Sequence, residues 1–421
     1  MPETAADLRK MINECYDLQP QVVKIRRDLH RIPELGGDLP LTSAYIRNYL
    51  DSINVRWRPC VYDSGTIAEI KGEMPGGMIA LRADVDALPI EEKTDADYRS
   101  QFPGRMHACG HDAHGAMLLG AAKVLSENRN AFGGTVRLLF QAGEETGDGA
   151  QHLIADHAAD DVDAVLGIHI GTLMGRDVPS GTIGIIPGNV TCYKDKFMLK
   201  ITGLGCHGAK PHEGIDPITI ASHVVVALEE LFAREVPAGT PAVLTFGSFQ
   251  SGSGENSIPS EAILRGSMRT KDAETRDWLK DRMEKIVSSV TEMYRGTCYL
   301  DWLKSSSPVF NDEKLCGGLA DILDKVMPVG TVLRNVKDPL LGSDDFTHFA
   351  QIKPSVYAFL CSSDPGKASD VDHHSPNFQI DEDVLWEGCG IYCTFVYMIS
   401  GRRDVTDNQI RSEMKDRDAV E

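Results

Sequence analysis

The sequence predicts an α/β protein in which a smaller βαββαβ unit is inserted into a larger layered one. Short apolar runs bounded by Gly, Pro or Asp alternate with helical patterns over residues 1–190. The order then becomes strand, helix, two strands, helix, strand, which is the split unit of ferredoxin-like folds. After residue 304 the first pattern returns. The expected domains are thus 1–190 and 305–421, two parts of one larger domain, with 191–304 inserted between them.

Residues 7–30 carry apolar side chains at helical spacing, and Pro33-Glu34-Leu35 ends the run. A second helix is expected over 42–53. The runs 65–70, 78–83, 135–140 and 164–169 are short and apolar, as buried strands are. Helical patterns lie between them at 113–128 and 149–157. Strands alternating with helices build a layered sheet, and ligands of such sheets collect beyond the strand ends. In the inserted stretch, 193–202, 242–250, 262–270 and 297–303 are expected strands, and 217–234 and 273–294 helices. Pro187-Gly188 and residues 305–308 flank it as expected hinges. A helix at 315–326, a strand at 355–360 and a helix at 381–399 complete the larger domain, and the polar stretch from Gly401 is expected to fray.

At 421 residues and 42% hydrophobic composition, the chain can form two domains with real cores. Its formal charge of −19 argues against nucleic acid or an anionic membrane as partner, since both select a basic face. Ten cysteines lie scattered without framework spacing, and no apolar run is long enough to span a bilayer. The N-terminus lacks the basic and apolar regions of a signal peptide. A reduced, cytoplasmic protein is the simplest expectation.

Residues 106–114 read Met-His-Ala-Cys-Gly-His-Asp-Ala-His. Cys109 and His111, separated by one glycine, offer a thiolate and an imidazole suited to a borderline divalent metal. Two ligands are too few, and three other places supply more. Glu144-Glu145 follows one apolar run, His169 ends another, and His373-His374 precedes Ser375-Pro376. Spacing leaves the choice between those two histidines open. Adjacent carboxylates at a strand end can divide their work, one binding metal and the other acting as base. Asp84 and Asp86 follow a strand, and either could orient a ligand imidazole or the metal-site loop; Asp84 is preferred. His107 and His114 are not taken as ligands.

These residues lie in segments that resemble the M20 metallopeptidases, in particular the amidohydrolase branch of hippurate hydrolases, aminoacylases and plant auxin-conjugate hydrolases. The matching segments are 81–89 (Leu-Arg-Ala-Asp-Val-Asp-Ala-Leu-Pro), 106–114, 140–145, 167–169, 205–212, 256–269, 342–346 and 374–378, in the family's order. The resemblance implies a zinc-peptidase-like larger domain and an inserted lid and dimerisation domain. It implies a site of two divalent ions per subunit (Zn, Mn, Co or Ni) held by Cys109, His111, Glu145, His169 and His374, with the cysteine between the ions. It makes Glu144 the base, and it has His207 support the oxyanion, in some members from a partner subunit. Asn256 and Arg269 would bind the substrate carboxylate. Arg82 stands where other branches carry a ligand histidine. Asp344 departs from the family pattern, which has Glu there.

The implied activity is metal-dependent hydrolysis of linear amides: N-acyl amino acids or small conjugates with a free carboxylate, in a homodimer. A dipeptidase or aminopeptidase of the same superfamily is the nearest alternative, and it needs a pocket acid for a free amino group. N-acetyl-diaminopimelate deacetylation and aminobenzoyl-glutamate cleavage belong to the same set. A non-catalytic descendant of the fold would have lost its base, whereas Glu144 and every expected ligand are present.

Overall fold

The computed structural model describes residues 2–336 and 341–400, so the polar stretch from Gly401 lies outside the described residues. In chain order the elements begin with α1 (Pro2–Asp17), α2 (Gln19–His30) and α3 (Pro40–Ser52). Next come β1 (Arg56–Pro59), β2 (Thr66–Lys71), β3 (Met74–Asp84), α4 (His111–Glu127), β4 (Gly133–Gln141), α5 (Gly149–Ala155), β5 (Ala164–Gly171), β6 (Ile183–Gly184) and β7 (Gly188–Asn189). The middle of the chain supplies β8 (Tyr193–Thr202), β9 (Cys206–His207), α6 (Pro217–Arg234), β10 (Ala242–Ser251), β11 (Ser257–Ile258), β12 (Glu261–Thr270), α7 (Ala273–Met293) and β13 (Thr297–Ser306). It closes with β14 (Phe310–Asn311), α8 (Glu313–Val326), β15 (Val332–Leu333), α9 (Thr347–Ile352), β16 (Ser355–Cys361) and α10 (Leu385–Ser400).

These elements form two compact units. The first contains the described residues of 1–190, 310–338 and 344–421. Its sheet has the order β1-β2-β4-β3-β5-β16-β6-β15, with a parallel block β4-β3-β5-β16 at its middle. Every residue of β5 and β16 is buried, as expected of parallel strands covered on both faces. Helix α4 is apolar almost all round because α2 and α10 both pack on it. Gly120 permits the approach: a Cβ there would meet Cys389 Sγ at 2.6 Å and Val22 Cγ2 at 2.8 Å. The single helix expected over 7–30 is two helices, because Pro20 sits in the first turn of α2 and removes an amide there. The parallel strands end at Asp84, Gln141 and Gly171, so the segments after them emerge on one side of the sheet.

The second unit contains Thr191–Val309 and the described part of Pro339–Ser343. Its antiparallel sheet has the order β10-β12-β8-β13. Phe197, Leu199, Ile201, Leu264 and Met268 pack with Ile220, Val224 and Leu228 of α6 and with Leu279, Met283 and Val287 of α7. Asp216 and Asp272 cap these helices, accepting from Ile218 N at 2.9 Å and Thr275 N at 2.8 Å. Strand β13 pairs with β8 through Ser306 across a register irregularity after Trp302. Both chain crossings lie beside a short ladder, β7 with β14. No described helix is long and apolar enough to cross a membrane.

Candidate metal centre

Gly110 has φ +89° and precedes the first residue of α4. Its left-handed turn lets Cys109 and His111 face one way, and a Cβ there would lie 2.9 Å from Ile170 Cγ2. His111 Nδ1 donates to the Asp86 carbonyl at 2.9 Å, which leaves Nε2 as the nitrogen available to a cation. That Nε2 is buried without a hydrogen-bond partner. His169 Nδ1 likewise donates to the Ile170 carbonyl at 2.9 Å, and its Nε2 lies 3.6 Å from Cys109 Sγ.

Cys109 stands at the junction of two groups. Its sulfur and the ligand atoms of His169 and His373 lie within 4.8 Å of one another, and so do those of Cys109, Glu145 and His374. A third group joins His111 to Glu144 and Glu145. The two adjacent histidines differ in chemistry. His373 Nε2 accepts from Thr172 N at 3.2 Å, so its proton is on Nδ1, 3.6 Å from the Cys109 sulfur. That histidine is placed to donate to the Cys109 sulfur. His374 has φ +63°, is half exposed, and brings Nε2 to 3.4 Å from Glu145 Oε1, an oxygen that is buried without a hydrogen-bond partner. His114 has both nitrogens engaged, accepting from Ile170 N at 2.9 Å and donating to Asp84 Oδ1 at 2.5 Å. His107 is buried with neither nitrogen bonded, and burial pushes its pKa down to about 3.

Orphaned nitrogen and carboxylate atoms beside a thiol are a donor set that fits a divalent cation. The two adjacent carboxylates are pushed apart. Loss of hydration, then the neighbouring Asp344 and Asp345, raises Glu144 well above the usual carboxylate range. Burial opposes charge on Glu145 as well, but the His374 imidazole 3.4 Å away and the His111 charge outweigh it and lower its pKa. Neighbouring acids driven in opposite directions are the arrangement that separates a proton carrier from a ligand.

Behind them lies a buried polar block. Arg82 is fully buried and donates to Gln141 Oε1 at 2.9 Å, Asp84 Oδ2 at 2.9 Å, Asp344 Oδ1 at 3.1 Å and Asp345 Oδ1 at 2.9 Å. Asp344, the residue that departs from the family pattern, also accepts from Phe346 N at 2.8 Å and from the Tyr357 hydroxyl. Asp84, expected to orient a ligand imidazole or the metal-site loop, has Oδ2 3.5 Å from His111 Nε2. Its oxygens serve Arg82 and His114, and the Nδ1 bond of His111 goes to the backbone of Asp86.

The profile of peptidase family M20/M25/M40 matches residues 80–398. The chain belongs to this family. It is 39% identical over 370 residues to an N-acetyl-L-cysteine deacetylase of Bacillus subtilis, an alignment covering 87% of this chain and 85% of the relative. It is 35% identical over 383 residues to a thermostable carboxypeptidase of Saccharolobus solfataricus, covering 90% and 95%. Among solved structures it is similar to a dinuclear metal-binding M20 peptidase of Bacillus subtilis, with a TM-score of 0.78, 28% identity and coverage of 91% and 99%. The M20 chain is a hydrolase of amide bonds that depends on a divalent metal.

The remaining expected residues of this M20 enzyme stand in the second unit. His207 and Asn256 are neighbours on the small β9–β11 ribbon, where Gly208 N donates to the Asn256 carbonyl at 2.8 Å. Both side chains are exposed. His207 Nδ1 accepts from Ala209 N at 3.1 Å, which puts the proton on Nε2. Arg269 is half-buried on β12 and donates to the Leu341 carbonyl at 2.6 Å. Sequence reasoning assigned no role to Arg82, Gln141, Asp345 or His373, and ranked Asp86 below Asp84. The one available signal was the alternation Asp84-x-Asp86, which in extended backbone sends both carboxylates to the same side.

Proposed function

We propose that this chain hydrolyses the amide bond of N-acyl amino acids, using two divalent ions held by Cys109, His111, Glu145, His169 and His374. The observation that carries the reading is geometric: the Cys109 sulfur lies within 4.8 Å of ligand atoms of Glu145 and His374 in one group and of His169 and His373 in another, with His111 Nε2 and Glu145 Oε1 buried and unpartnered. Bound ions would polarise the amide carbonyl and acidify water. Glu144 accepts the proton of the attacking water. Its Oε1 is steadied by the Asp345 N–H at 3.4 Å, and its raised affinity for a proton lets it hold that proton for the leaving amine. The His373 Nδ1–H faces the Cys109 sulfur and would temper its charge.

The two enzymatic relatives point to one bond. The N-acyl amino acid that a deacetylase cleaves and a carboxypeptidase substrate both carry the scissile amide on an amino acid with a free carboxylate. For the second unit we carry over the roles implied by the family likeness: Arg269 and Asn256 for that carboxylate, and His207 for the oxyanion. The unit is also proposed to join a homodimer. Mixed dimers of the Glu144→Gln and His207→Ala chains regain activity if His207 serves its partner's site, and confirmed mixed dimers that stay inactive refute that exchange.

The test is a metal-supplemented panel of N-acetyl and N-benzoyl amino acids, their carboxyl-amidated forms, and unblocked dipeptides. Blocked amino acids with a free carboxylate are expected to be cleaved fastest. Faster cleavage of unblocked dipeptides would move the assignment to a dipeptidase.

A further inference from the structure

Asp86 joins three candidate site residues that otherwise come from separate parts of the chain. Its carbonyl accepts the Nδ1 proton of His111 at 2.9 Å, and its Oδ1 lies 3.5 Å from the same nitrogen. Its two carboxylate oxygens accept consecutive backbone amides, Oδ1 from Glu144 N at 3.1 Å and Oδ2 from Glu145 N at 3.1 Å. The side chain is 1% exposed, so water has little access to take over either bond. Consecutive amides aimed at one point form a concavity suited to an anion. Here the anion is a side chain of the protein itself.

The turn that presents these amides is closed at its Gly143 end, where the carbonyl accepts from Thr146 Oγ1 at 3.0 Å, Asp148 N at 3.3 Å and Gly149 N at 3.1 Å. Gly143 and Gly147 both have left-handed φ, +76° and +77°, and the segment between them belongs to no helix or strand. Gly147 N also donates to the Glu144 and Gly143 carbonyls, and none of these closing bonds uses the amides of Glu144 and Glu145, which go to Asp86. Asp84, two residues earlier, has its oxygens on Arg82 and His114 and cannot substitute.

We propose that Asp86 is a positioning residue that locks the Glu144–Glu145 turn onto the His111 imidazole, so that the proton carrier and two metal ligands are held as one block. The proposal rests on the metal-centre reading above. It makes a distinct claim: displacing this one carboxylate loosens metal binding although Asp86 donates nothing to the metal.

The test uses full-length protein stripped with chelator, titrated with Zn²⁺ against a competing indicator, in wild type, Asp86→Asn and Asp86→Ala. The Asn side chain can accept only one of the two amides and turns N–H groups toward the other. Both variants are expected to bind Zn²⁺ about 10- to 100-fold more weakly at unchanged stoichiometry. With a substrate from the panel, kcat is expected to fall while KM stays within about twofold, as for loss of an interaction used in the transition state. A merely structural Asp86 would lower the melting temperature of the metal-free protein and leave Zn²⁺ affinity intact, and that result overturns the proposal. If neither variant folds, residue-resolved hydrogen–deuterium exchange on wild-type protein decides. Slow exchange at both the Glu144 and Glu145 amides is expected, and fast exchange at both refutes the lock. Failure to find a substrate would leave the affinity and exchange results standing, so the two readings fail separately.

Discussion

Glu387 gives a pH test of the fold that is independent of the metal centre. It lies in the first turn of α10, 6% exposed, with Oε2 buried and lacking a hydrogen-bond partner. Burial, reinforced by the Asp381 charge, pushes its pKa from 4.5 up to about 8. Below pH 4.5 the group is protonated in both folded and unfolded chains and has no effect on the balance. Between 4.5 and about 8 the unfolded chain has lost this proton and the fold retains it, so stability falls as pH rises. Above that window both forms are ionised and the slope ends. Each pH unit is worth about 1.4 kcal/mol, so the window caps the effect at roughly 5 kcal/mol. Glu387→Gln removes the titration and keeps the shape. Urea unfolding of both proteins in chelator, from pH 5 to 8, isolates the term, because distant titrating groups cancel in the difference. The Gln variant is expected to gain on wild type by about 2–5 kcal/mol across this range. Curves that run parallel would refute the reasoning.

Arg82→Met should be among the most damaging single changes in the first unit. It strands the Asp84, Asp344 and Asp345 carboxylates with their cation gone, at a cost of about 3–5 kcal/mol, visible as a lower urea midpoint. A midpoint equal to that of wild type would show that the block is not held by its guanidinium. Cys109→Ser should lower the metal content measured by elemental analysis, because a hydroxyl is a poor ligand at neutral pH. Full metal in both proteins would remove Cys109 from the centre.

The main helices and long strands between residues 193 and 306 were legible to within a few residues, for local reasons. The helices carry amphipathic spacing and Asp N-caps at Asp216 and Asp272, and the strands alternate buried and exposed positions. The strand β1 was not legible: it is an edge strand, largely exposed, and pairs on one side only. The break between α1 and α2 was hidden because a proline in the first turn of a helix leaves the apolar spacing intact. In the site, Cys109-Gly-His111 and Glu144-Glu145 stand out by residue type alone. The Arg82 block does not, because carboxylates at strand ends look like ordinary turn acids. Only the register that sets Asp84 of β3 opposite Gln141 of β4, with 344–345 brought in from far along the chain, reveals it. Asp86 was ranked below Asp84 for a similar reason. Its bonds go to backbone amides, which no residue type advertises.

The most direct test of the account concerns Glu144. Its carboxyl is assigned the proton and Glu145 the metal, although the two are chain neighbours. Glu144→Gln should therefore retain the wild-type metal content and unfolding midpoint, while kcat on the best N-acyl amino acid falls by about 10²- to 10⁴-fold. A variant that turns over at the wild-type rate, or that loses its metal as Cys109→Ser is expected to, would contradict this division of roles.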